Sequence, residues 1–316
     1  MAAQGTSSAS DVLVYQERLT SLALEAIADT TSLMGHPSIL DVSQLLPDGW
    51  WRGMPTDGEV SIPIMPVVPR FASTSEGTAV HDPTEIGATK VSITVADHDL
   101  VLSPTDALRL RDPLGMYDGA ALAALMVPAY TYSVSDVIVG ALTDFTASVG
   151  ASDEAVTWAV IKEAQGALHI SALSMAVGLV CILHPEQWVS VQADIAGAGG
   201  QVQFRQDLVA TQAATPTGYV GSYDGVDFYS IAAVDQPDEG TYVGAMICQG
   251  AIGWLPCPQP PAAASEIRVL DVGIMKAEEV RDAANKAVQV IGAATYGVAI
   301  LQQALGVRIL GTGQAE

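Results

Sequence analysis

Basic residues are scarce in this sequence of 316 residues. Lysine and arginine together number 13 against 35 aspartates and glutamates, which gives a net charge of −22 at pH 7. A surface with this balance repels a phosphate backbone, because nucleic-acid binding depends on cations that displace the counterions of the phosphates. The charge therefore disfavours direct binding of nucleic acid.

Cysteine is also rare, and its placement argues against two kinds of small domain. The three cysteines are Cys181, Cys248 and Cys257, an odd number without a close CxxC pair. A disulfide framework needs an even set, and a zinc knuckle needs paired ligands at short spacing. The sequence thus fits a protein that folds in a reducing cytoplasm.

Neither an export signal nor a membrane span is expected from the sequence. The first residues lack a basic region followed by an apolar one, so no secretory signal is expected. The run from Ala164 to Pro185 has no charged residue and approaches the ~20 residues that a span needs. It contains Gln165 and His169, however, and no basic cluster flanks it to set an orientation. We therefore expect no membrane association.

Residues 1–57 are predicted to form an N-terminal arm with one amphipathic helix. Asp11 is a candidate N-cap. The apolar positions after it keep helical spacing: Val12, Tyr15, Leu19, Leu22, Ala26 and Ile27. Beyond Gly35 the residues are rich in turn formers and have no sustained period, which indicates an extended segment.

Residues 58–102 are predicted to form a long β-hairpin. Its two halves, "VSIPIMPVVPR" and "TKVSITVADHDLVL", alternate apolar and other residues as half-buried strands do. Pro63, Pro66 and Pro69 confine the first strand to an edge or to a projecting arm. Such a hairpin has little core of its own, so we expect it to lie on a neighbour.

Residues 103–150 are predicted to contain a long helix. The segment from Gly119 to Val149 is rich in alanine and leucine, and Pro128 is expected to bend the helix. A second helix is expected to begin just beyond this segment, with Ser152 as its N-cap and Glu154 in its first turn.

Residues 151–261 are predicted to form a mixed sheet flanked by helices. A short apolar strand ends at Leu183, and a helix follows with His184 as its cap and Pro185 in its first turn. The sequence "YDGV" predicts a turn between two strands, and the prolines from Pro256 onward indicate a linker.

Residues 262–316 are predicted to supply closing strands. The stretch "SEIRVLDVGI" alternates as a strand does, and "KAEEVRDAANK" is predicted to form a short polar helix. In the segment rich in valine and isoleucine that follows, Gly292 and Gly297 favour strand over helix.

No catalytic, cofactor-binding or metal-binding residues are predicted. The five histidines have none of the spacings of zinc motifs. Asp97, His98 and Asp99 are the strongest ligand-like group, but on a strand the two aspartates share one face and His98 points away from them. His184 and Glu186 look like a catalytic pair, yet a helix start accounts for both, since the helix dipole favours acid in the first turn.

One stretch and the order of the elements around it carry a resemblance. In "EAVTWAVIKEAQGALHISALSMAVGLVCILHPEQWVSVQ" a helix and a strand lead through a His-Pro turn into the next helix. This segment, with the "YDGVDFY" turn and the strand region after "EIRVLDVGI", resembles the major capsid proteins of tailed phages. The resemblance implies an α+β fold of the Hong Kong 97 type. Its N-arm would cover 1–57, its extended loop 58–102, its peripheral domain with the spine helix 103–150 and 262–316, and its axial domain 151–261.

The resemblance implies a structural protein and not an enzyme. A major capsid protein self-assembles, as hexamers and pentamers, into the icosahedral shell around the double-stranded DNA genome of a tailed virus. Overlap with neighbouring copies would order an arm and a hairpin that lack a core. The acidic charge suits a shell that encloses DNA without sequence-specific binding. The protein would be assembled in the host cytoplasm and located in the virion capsid.

The resemblance also implies partners. The predicted loop begins near Glu59 without a long scaffolding extension before it, so a separate scaffolding protein is expected. A portal protein is a second expected partner, and a decoration protein is a further candidate.

Some members of the family join their subunits by an isopeptide bond between a lysine of the extended loop and an asparagine of a neighbouring peripheral domain. Here Lys90 is the only lysine of the predicted loop, and Asn285 is the only asparagine of the chain. The resemblance therefore implies a candidate cross-link between them, which would also need a buried glutamate at the junction.

Two other functions stay open at this point. An encapsulin-like compartment has the same fold but encloses enzyme cargo instead of a genome. An acidic cytoplasmic α/β enzyme would use the Asp97–Asp99 or His184 region. The size of the particle formed by the purified protein separates the enzyme from the two shell proteins.

Overall fold

The computed structural model describes residues 33–51, 58–64, 89–111, 119–171, 178–202, 218–238, 240–259, 268–271 and 273–313. The helix predicted after Asp11 and the tip of the predicted hairpin lie outside these residues. The described strands are β1 (Ile39–Asp41), β2 (Glu59–Ile64), β3 (Thr89–Thr94), β4 (Ala96–Leu102), β5 (Ser148–Ala155), β6 (Leu179–Leu183), β7 (Tyr219–Tyr223), β8 (Val226–Ser230), β9 (Thr241–Ile247), β10 (Ile252–Cys257), β11 (Arg268–Asp271), β12 (Met275–Asp282), β13 (Ala287–Ile300) and β14 (Gly306–Thr312). The described α-helices are α1 (Asp106–Leu110), α2 (Gly119–Ala141), α3 (Trp158–Ser171) and α4 (Pro185–Gly197).

The first sheet is built around the long strand β13. Along one edge of β13 the strands β12 and β10 pair in succession, and β4 pairs along the opposite edge. Strands β11 and β1 complete the sheet beside β12 and β10. The prediction that Gly292 and Gly297 lie in a strand is confirmed. A Cβ atom at Gly297 would lie 2.3 Å from the carbonyl oxygen of Thr94, so only glycine fits this close approach.

The prediction of a short polar helix in "KAEEVRDAANK" is wrong. Residues 275–282 form β12, which pairs antiparallel with β13 through a tight turn. Met275 and Ala277 are buried while the charged residues between and after them are less so. The pairing with β13 outweighs the local helix propensity of lysine, glutamate and alanine, because propensity contributes only tenths of a kcal/mol per residue.

Helix α2 lies against the first sheet. Its inner face buries Leu122, Met126, Tyr130, Val134 and Ile138 in the largest hydrophobic cluster of the described residues. Pro128 lies within the helix, as predicted. The predicted helix is too long, however, because α2 ends at Ala141 and a single 3₁₀ turn leads toward β5.

The predicted helix cap at Ser152 is wrong as well. Ser152 and Glu154 belong to β5, which pairs in parallel with β14. Helix α3 begins only at Trp158, whose backbone N–H donates to Asp194 Oδ2 on α4 at 2.7 Å. The start of α3 is thus satisfied by a carboxylate from another helix, which local sequence does not reveal.

The second sheet has the strand order β5-β14-β9-β6-β8-β7. All residues of β6 and β9 are buried, and α3 and α4 help to bury the sheet in a second hydrophobic cluster. The predicted turn between β7 and β8 is confirmed. Asp224 and Gly225 both have positive φ (51° and 79°), as a two-residue type I′ turn requires.

The chain crosses between the sheets, so the sheets do not follow the predicted segments. β10 lies within the predicted unit 151–261 but pairs with β13 in the first sheet. β14 lies within 262–316 but pairs with β5 and β9 in the second sheet. Such pairings join residues far apart in sequence and leave no local signal.

Strands β2 and β3 confirm the two arms of the predicted hairpin. They pair antiparallel from Glu59 opposite Thr94 to Ile64 opposite Thr89. The segment predicted as one second strand is divided at Val95, after which β4 joins the first sheet. Ile62, Ile93 and Val95 pack with Leu255 in a small cluster of their own. The base of the hairpin is thereby fixed to the subunit.

One described helix has the length and composition of a membrane span. It covers Ala121–Asp144, mostly within α2, and about half of its most apolar window is buried inside the protein. The buried part of this helix packs in the largest hydrophobic cluster of the described residues, and a core helix can have the same length and composition. The uncharged run from Ala164 to Pro185 is divided between α3 and β6.

Candidate assembly surfaces

His184 caps helix α4, as the sequence predicts. Its Nδ1 accepts the backbone N–H of Glu186 at 3.3 Å, and its own backbone N–H donates to Gln187 Oε1 at 3.2 Å. The imidazole stacks on Tyr242 with 3.7 Å between ring centroids. These contacts form a capping box between His184 and Gln187, in which Glu186 takes part through its backbone N–H, so the role of this group is structural.

The cap makes stability depend on pH. Burial lowers the pKa of His184 below its ordinary value of 6.5, although Glu186 opposes the shift. The unfolded chain therefore binds the proton of His184 more tightly than the folded chain does. The stability that neutral His184 contributes is fully present above pH 6.5 and is lost as the pH falls below that value.

Replacing His184 by asparagine is expected to remove this part of the pH dependence, because asparagine caps a helix without titrating. Urea denaturation of wild type and His184→Asn at pH 7.5 and 5.5 measures the difference. Wild type should lose more stability on acidification than the variant. Equal losses in both proteins would contradict the assignment.

Gln187 is a site that the sequence reasoning missed. Its side chain is fully buried, and its Nε2 donates to the carbonyl oxygens of Tyr242 and Gly311 at 3.1 and 3.0 Å. The amide therefore joins α4 to β9 and β14. A glutamine is usually exposed, so nothing in the local sequence marks it.

His36 and Asp227 form a second buried pair that the sequence did not indicate. His36 is 2% exposed, and its Nε2 lies 3.3 Å from Asp227 Oδ2 on β8. Because Nδ1 accepts the N–H of Ser38 at 3.1 Å, Nε2 is the nitrogen that carries the proton and donates to Asp227. The chain segment before β1 is thereby anchored to the second sheet.

The candidate ligand group on β4 has the geometry of a strand. Asp97 and Asp99 are exposed, while His98 stacks on Tyr296 with 4.0 Å between ring centroids. Asp97 Oδ1 accepts the hydroxyl of Thr295 at 2.5 Å. The described ranges contain no cluster of three or more His, Cys, Asp or Glu side chains that could hold a metal ion.

The cysteines are structural. Cys181, Cys248 and Cys257 are buried and form no disulfide with one another. Burial raises the pKa of Cys248 and Cys257 to about 11 and raises that of Cys181 further. These thiols stay protonated near neutral pH, so they are poor nucleophiles.

A mixed basic and apolar surface, the tip patch, lies at one end of the first sheet. Asp106 at the start of α1 accepts two hydrogen bonds of 2.6 Å from Arg281 on β12, and these hold the pKa of its carboxyl below its ordinary range. This ion pair sets α1 beside β12. The tip patch consists of the apolar residues Leu108, Leu110 and Val280, the cations Arg109, Arg111, Arg281 and Lys286, and the acids Asp106 and Asp282, of which Asp106 is paired with Arg281.

The tip patch differs from the rest of the chain in charge and exposure. It holds four of the 13 lysines and arginines of a chain with a net charge of −22. Leu110 is 88% exposed, and Leu108 and Val280 are also exposed. Exposed leucines beside cations are typical of a surface that another protein covers.

The two residues of the candidate cross-link occupy different parts of the subunit. Lys90 is exposed on β3 in the hairpin, opposite Pro63. Asn285 is exposed in the turn between β12 and β13, where its Nδ2 donates to Asp282 Oδ2 at 2.7 Å. Hydrogen bonds from Asn285 hold the pKa of Asp282 below its ordinary value.

Comparison with known proteins identifies the fold through solved structures. No protein-family model and no curated sequence matches the chain. Among solved structures, the cyanophage Pam1 capsid asymmetric unit is similar with a TM-score of 0.57 and 12% identity, covering 89% of this chain and 90% of that one. The capsid of Ralstonia phage GP4 is similar with a TM-score of 0.55 and 11% identity, over 83% and 85% of the two chains.

A cellular protein is similar as well. The holo-SrpI encapsulin complex from Synechococcus elongatus PCC 7942 matches with a TM-score of 0.50 and 8% identity, over 70% of this chain and 77% of that one. At these identities the likeness shows the fold. The chain therefore has the fold of these shell proteins, and the α+β fold class expected from the sequence is confirmed.

Proposed function

We propose that this chain, which has the Hong Kong 97 fold, is the major capsid protein of a tailed double-stranded DNA virus. The observation that carries the proposal is the match to a phage capsid subunit over nearly the whole of both chains. In this function the protein is structural and not enzymatic. It assembles in the host cytoplasm as hexamers and pentamers and resides in the virion capsid.

Two surfaces of the subunit support assembly. The base of the hairpin of β2 and β3 packs on the subunit, and the part of residues 58–102 that lies outside the described ranges is proposed to extend over a neighbouring copy. The tip patch supplies cations and exposed leucines that fit the acidic surface of another copy. We also propose that residues 1–57 form the N-terminal arm and that the chain after the hairpin divides into a peripheral domain (103–150 and 262–316) and an axial domain (151–261).

The acidic charge supports enclosure of DNA without sequence-specific binding. A net charge of −22 gives packaged DNA no strong attachment to the inner surface. A separate scaffolding protein, a portal protein and a decoration protein are the proposed partners.

An encapsulin-like compartment is the second candidate, favoured by the similarity to the SrpI encapsulin. Phage capsids match more of this chain and with higher TM-scores, so the viral function is preferred. The two candidates differ in cargo, which is DNA in one and protein in the other.

Electron microscopy of the purified protein tests the proposal. Closed shells, or rings of five and six subunits, are expected. A stable small oligomer under all conditions would refute both shell functions. Nucleic acid inside particles purified from the native source supports the capsid, whereas an enzyme inside them supports the compartment.

We expect mature particles to lack the Lys90–Asn285 cross-link. The amide of Asn285 is exposed and is held by Asp282, which is an aspartate at the surface with a lowered pKa and not the buried glutamate that the bond needs. A denaturing gel should show a single monomer band, unchanged in Lys90→Arg. A ladder of covalent multimers that disappears in Lys90→Arg but persists in Lys286→Arg would contradict this expectation.

A further inference from the structure

The chain has four aspartate–glycine sequences, at 48–49, 57–58, 118–119 and 224–225. In such a pair the backbone nitrogen of the glycine can reach the side-chain carboxyl of the aspartate, because glycine has no Cβ atom to hinder the approach. The structure describes both residues of the pair at Asp48–Gly49 and at Asp224–Gly225. These two pairs have different surroundings, and the difference separates a reactive pair from a protected one.

The Asp48–Gly49 pair forms an exposed turn. Asp48 is exposed, and the backbone N–H of Trp50 donates to the carbonyl oxygen of Pro47 at 3.2 Å. Gly49 has a φ of 78°, as the third residue of a type II turn requires. Within the described part of the chain, the Gly49 nitrogen donates to no backbone carbonyl and no side chain binds the Asp48 carboxylate. Neither reacting group is therefore committed to another partner there.

The Asp224–Gly225 pair is constrained by its surroundings. The carboxylate of Asp224 forms an ion pair with Lys162 of α3. The pair occupies the type I′ turn, and the flanking residues Tyr223 and Val226 are paired as the ends of β7 and β8. Closing a ring between the carboxyl and the glycine nitrogen changes the backbone conformation of the aspartate. At Asp224 this change requires the ion pair to break and the end of the hairpin to open, so Asp224 is protected although its side chain is exposed.

We propose that Asp48 is a site of spontaneous isomerisation to isoaspartate. The Gly49 nitrogen attacks Cγ of Asp48, and a C–N bond forms as one water molecule leaves with a carboxyl oxygen, the amide hydrogen and one further proton. Water then opens the resulting five-membered succinimide at either carbonyl, which gives aspartate or isoaspartate. The water lost in the first step is regained in the second, so atoms and electrons balance without an oxidant or a cofactor.

The turn lies where the chain before the hairpin packs on the base of the hairpin. Leu46 and Trp50, on either side of the turn, pack against the small cluster that includes Ile62 and Leu255. Isoaspartate adds one carbon atom to the main chain between residues 48 and 49, so the hydrogen bond from Trp50 no longer closes a four-residue turn. The reaction therefore releases Trp50 from the base of the hairpin. The proposal does not depend on whether the chain forms a viral shell.

Ageing of the unassembled full chain at physiological temperature and neutral pH tests the proposal. After digestion, electron-transfer dissociation distinguishes isoaspartate from aspartate in each peptide, and an unaged sample gives the amount that the digestion itself produces. In the folded protein, isoaspartate should accumulate about tenfold faster at Asp48 than at Asp224, which corresponds to about 1.4 kcal/mol for opening the Asp224 turn. In protein aged in urea the two rates should be similar, because only the shared Asp–Gly sequence remains.

Asp48→Glu is the matched variant. Glutamate keeps the negative charge, but its attack would need a six-membered ring, which forms far more slowly. The variant should accumulate no isomer at position 48 and should keep the wild-type rate at Asp224. After equal ageing, the amides of β2 should exchange with deuterium faster in wild type than in Asp48→Glu, because the base of the hairpin opens more often once Trp50 is released.

Three outcomes would overturn the proposal. The first is a rate at Asp224 in the folded protein that equals or exceeds the rate at Asp48. The second is the absence of isoaspartate from position 48 in folded protein that has been aged until the urea sample contains it. The third is identical exchange of the β2 amides in aged wild type and aged Asp48→Glu, with isoaspartate present in the wild type, because Trp50 would then still be in place.

Discussion

Replacing Gln187 by alanine is expected to lower the free energy of unfolding by about 3 kcal/mol. The substitution removes a fully buried side chain together with its two donated hydrogen bonds to Tyr242 and Gly311. It also removes the oxygen that accepts the backbone N–H of His184. The loss combines a cavity with two buried carbonyl oxygens that lose the donor which the Gln187 amide supplied.

Chemical denaturation of the unassembled subunit measures this effect. Gln192→Ala is the matched control, because Gln192 is an exposed glutamine on the same helix. Its effect should stay within about 0.5 kcal/mol. A loss below about 1 kcal/mol in Gln187→Ala would mean that the amide does not join α4 to the sheet.

Leu110→Asp is expected to block assembly while leaving the subunit folded. The side chain is 88% exposed in the free subunit, so an aspartate there has water around it and costs little stability. In an assembled shell the same aspartate would be covered, on a surface that meets acidic neighbours. A central contact residue contributes about 2 kcal/mol or more, which raises the concentration needed for assembly about thirtyfold.

Light scattering or sedimentation across a concentration series measures that threshold. Leu110→Met keeps an apolar side chain of similar volume and should assemble like wild type. Assembly of Leu110→Asp at the wild-type threshold would exclude the tip patch from the contacts between copies. A shift in thermal unfolding of the free subunit would indicate a structural role for Leu110 instead.

The features that sequence predicted correctly are those with a local cause. The start of α4 at His184 and Pro185 follows from capping and from the fixed φ of proline, both of which act within a single turn. The turn at Asp224 and Gly225 follows from the need for positive φ at two successive residues. The arms of the hairpin follow from their alternation of apolar and polar residues.

The features that sequence missed are created by pairing at a distance. Residues 275–282 have helix-forming composition but become a strand because β13 is available beside them. His36 and Asp227 are 191 positions apart, so neither residue signals the other. For Gln187, burial arises only when β9 and β14 meet above α4. The sequence pattern shows local propensity and periodicity, but it does not show which distant elements contact one another.

The position of β14 between β5 and β9 has a consequence for synthesis on the ribosome. Both partners are made before β14, since Arg308 pairs with Ser148 on one side and with Ala245 on the other. Until the last described strand emerges, the neighbouring edge of β9 is open, and such edges recruit other chains. A nascent chain therefore completes its second sheet only when synthesis has reached β14. A chain that terminates before β14 would keep an unpaired strand edge to which other chains can bind.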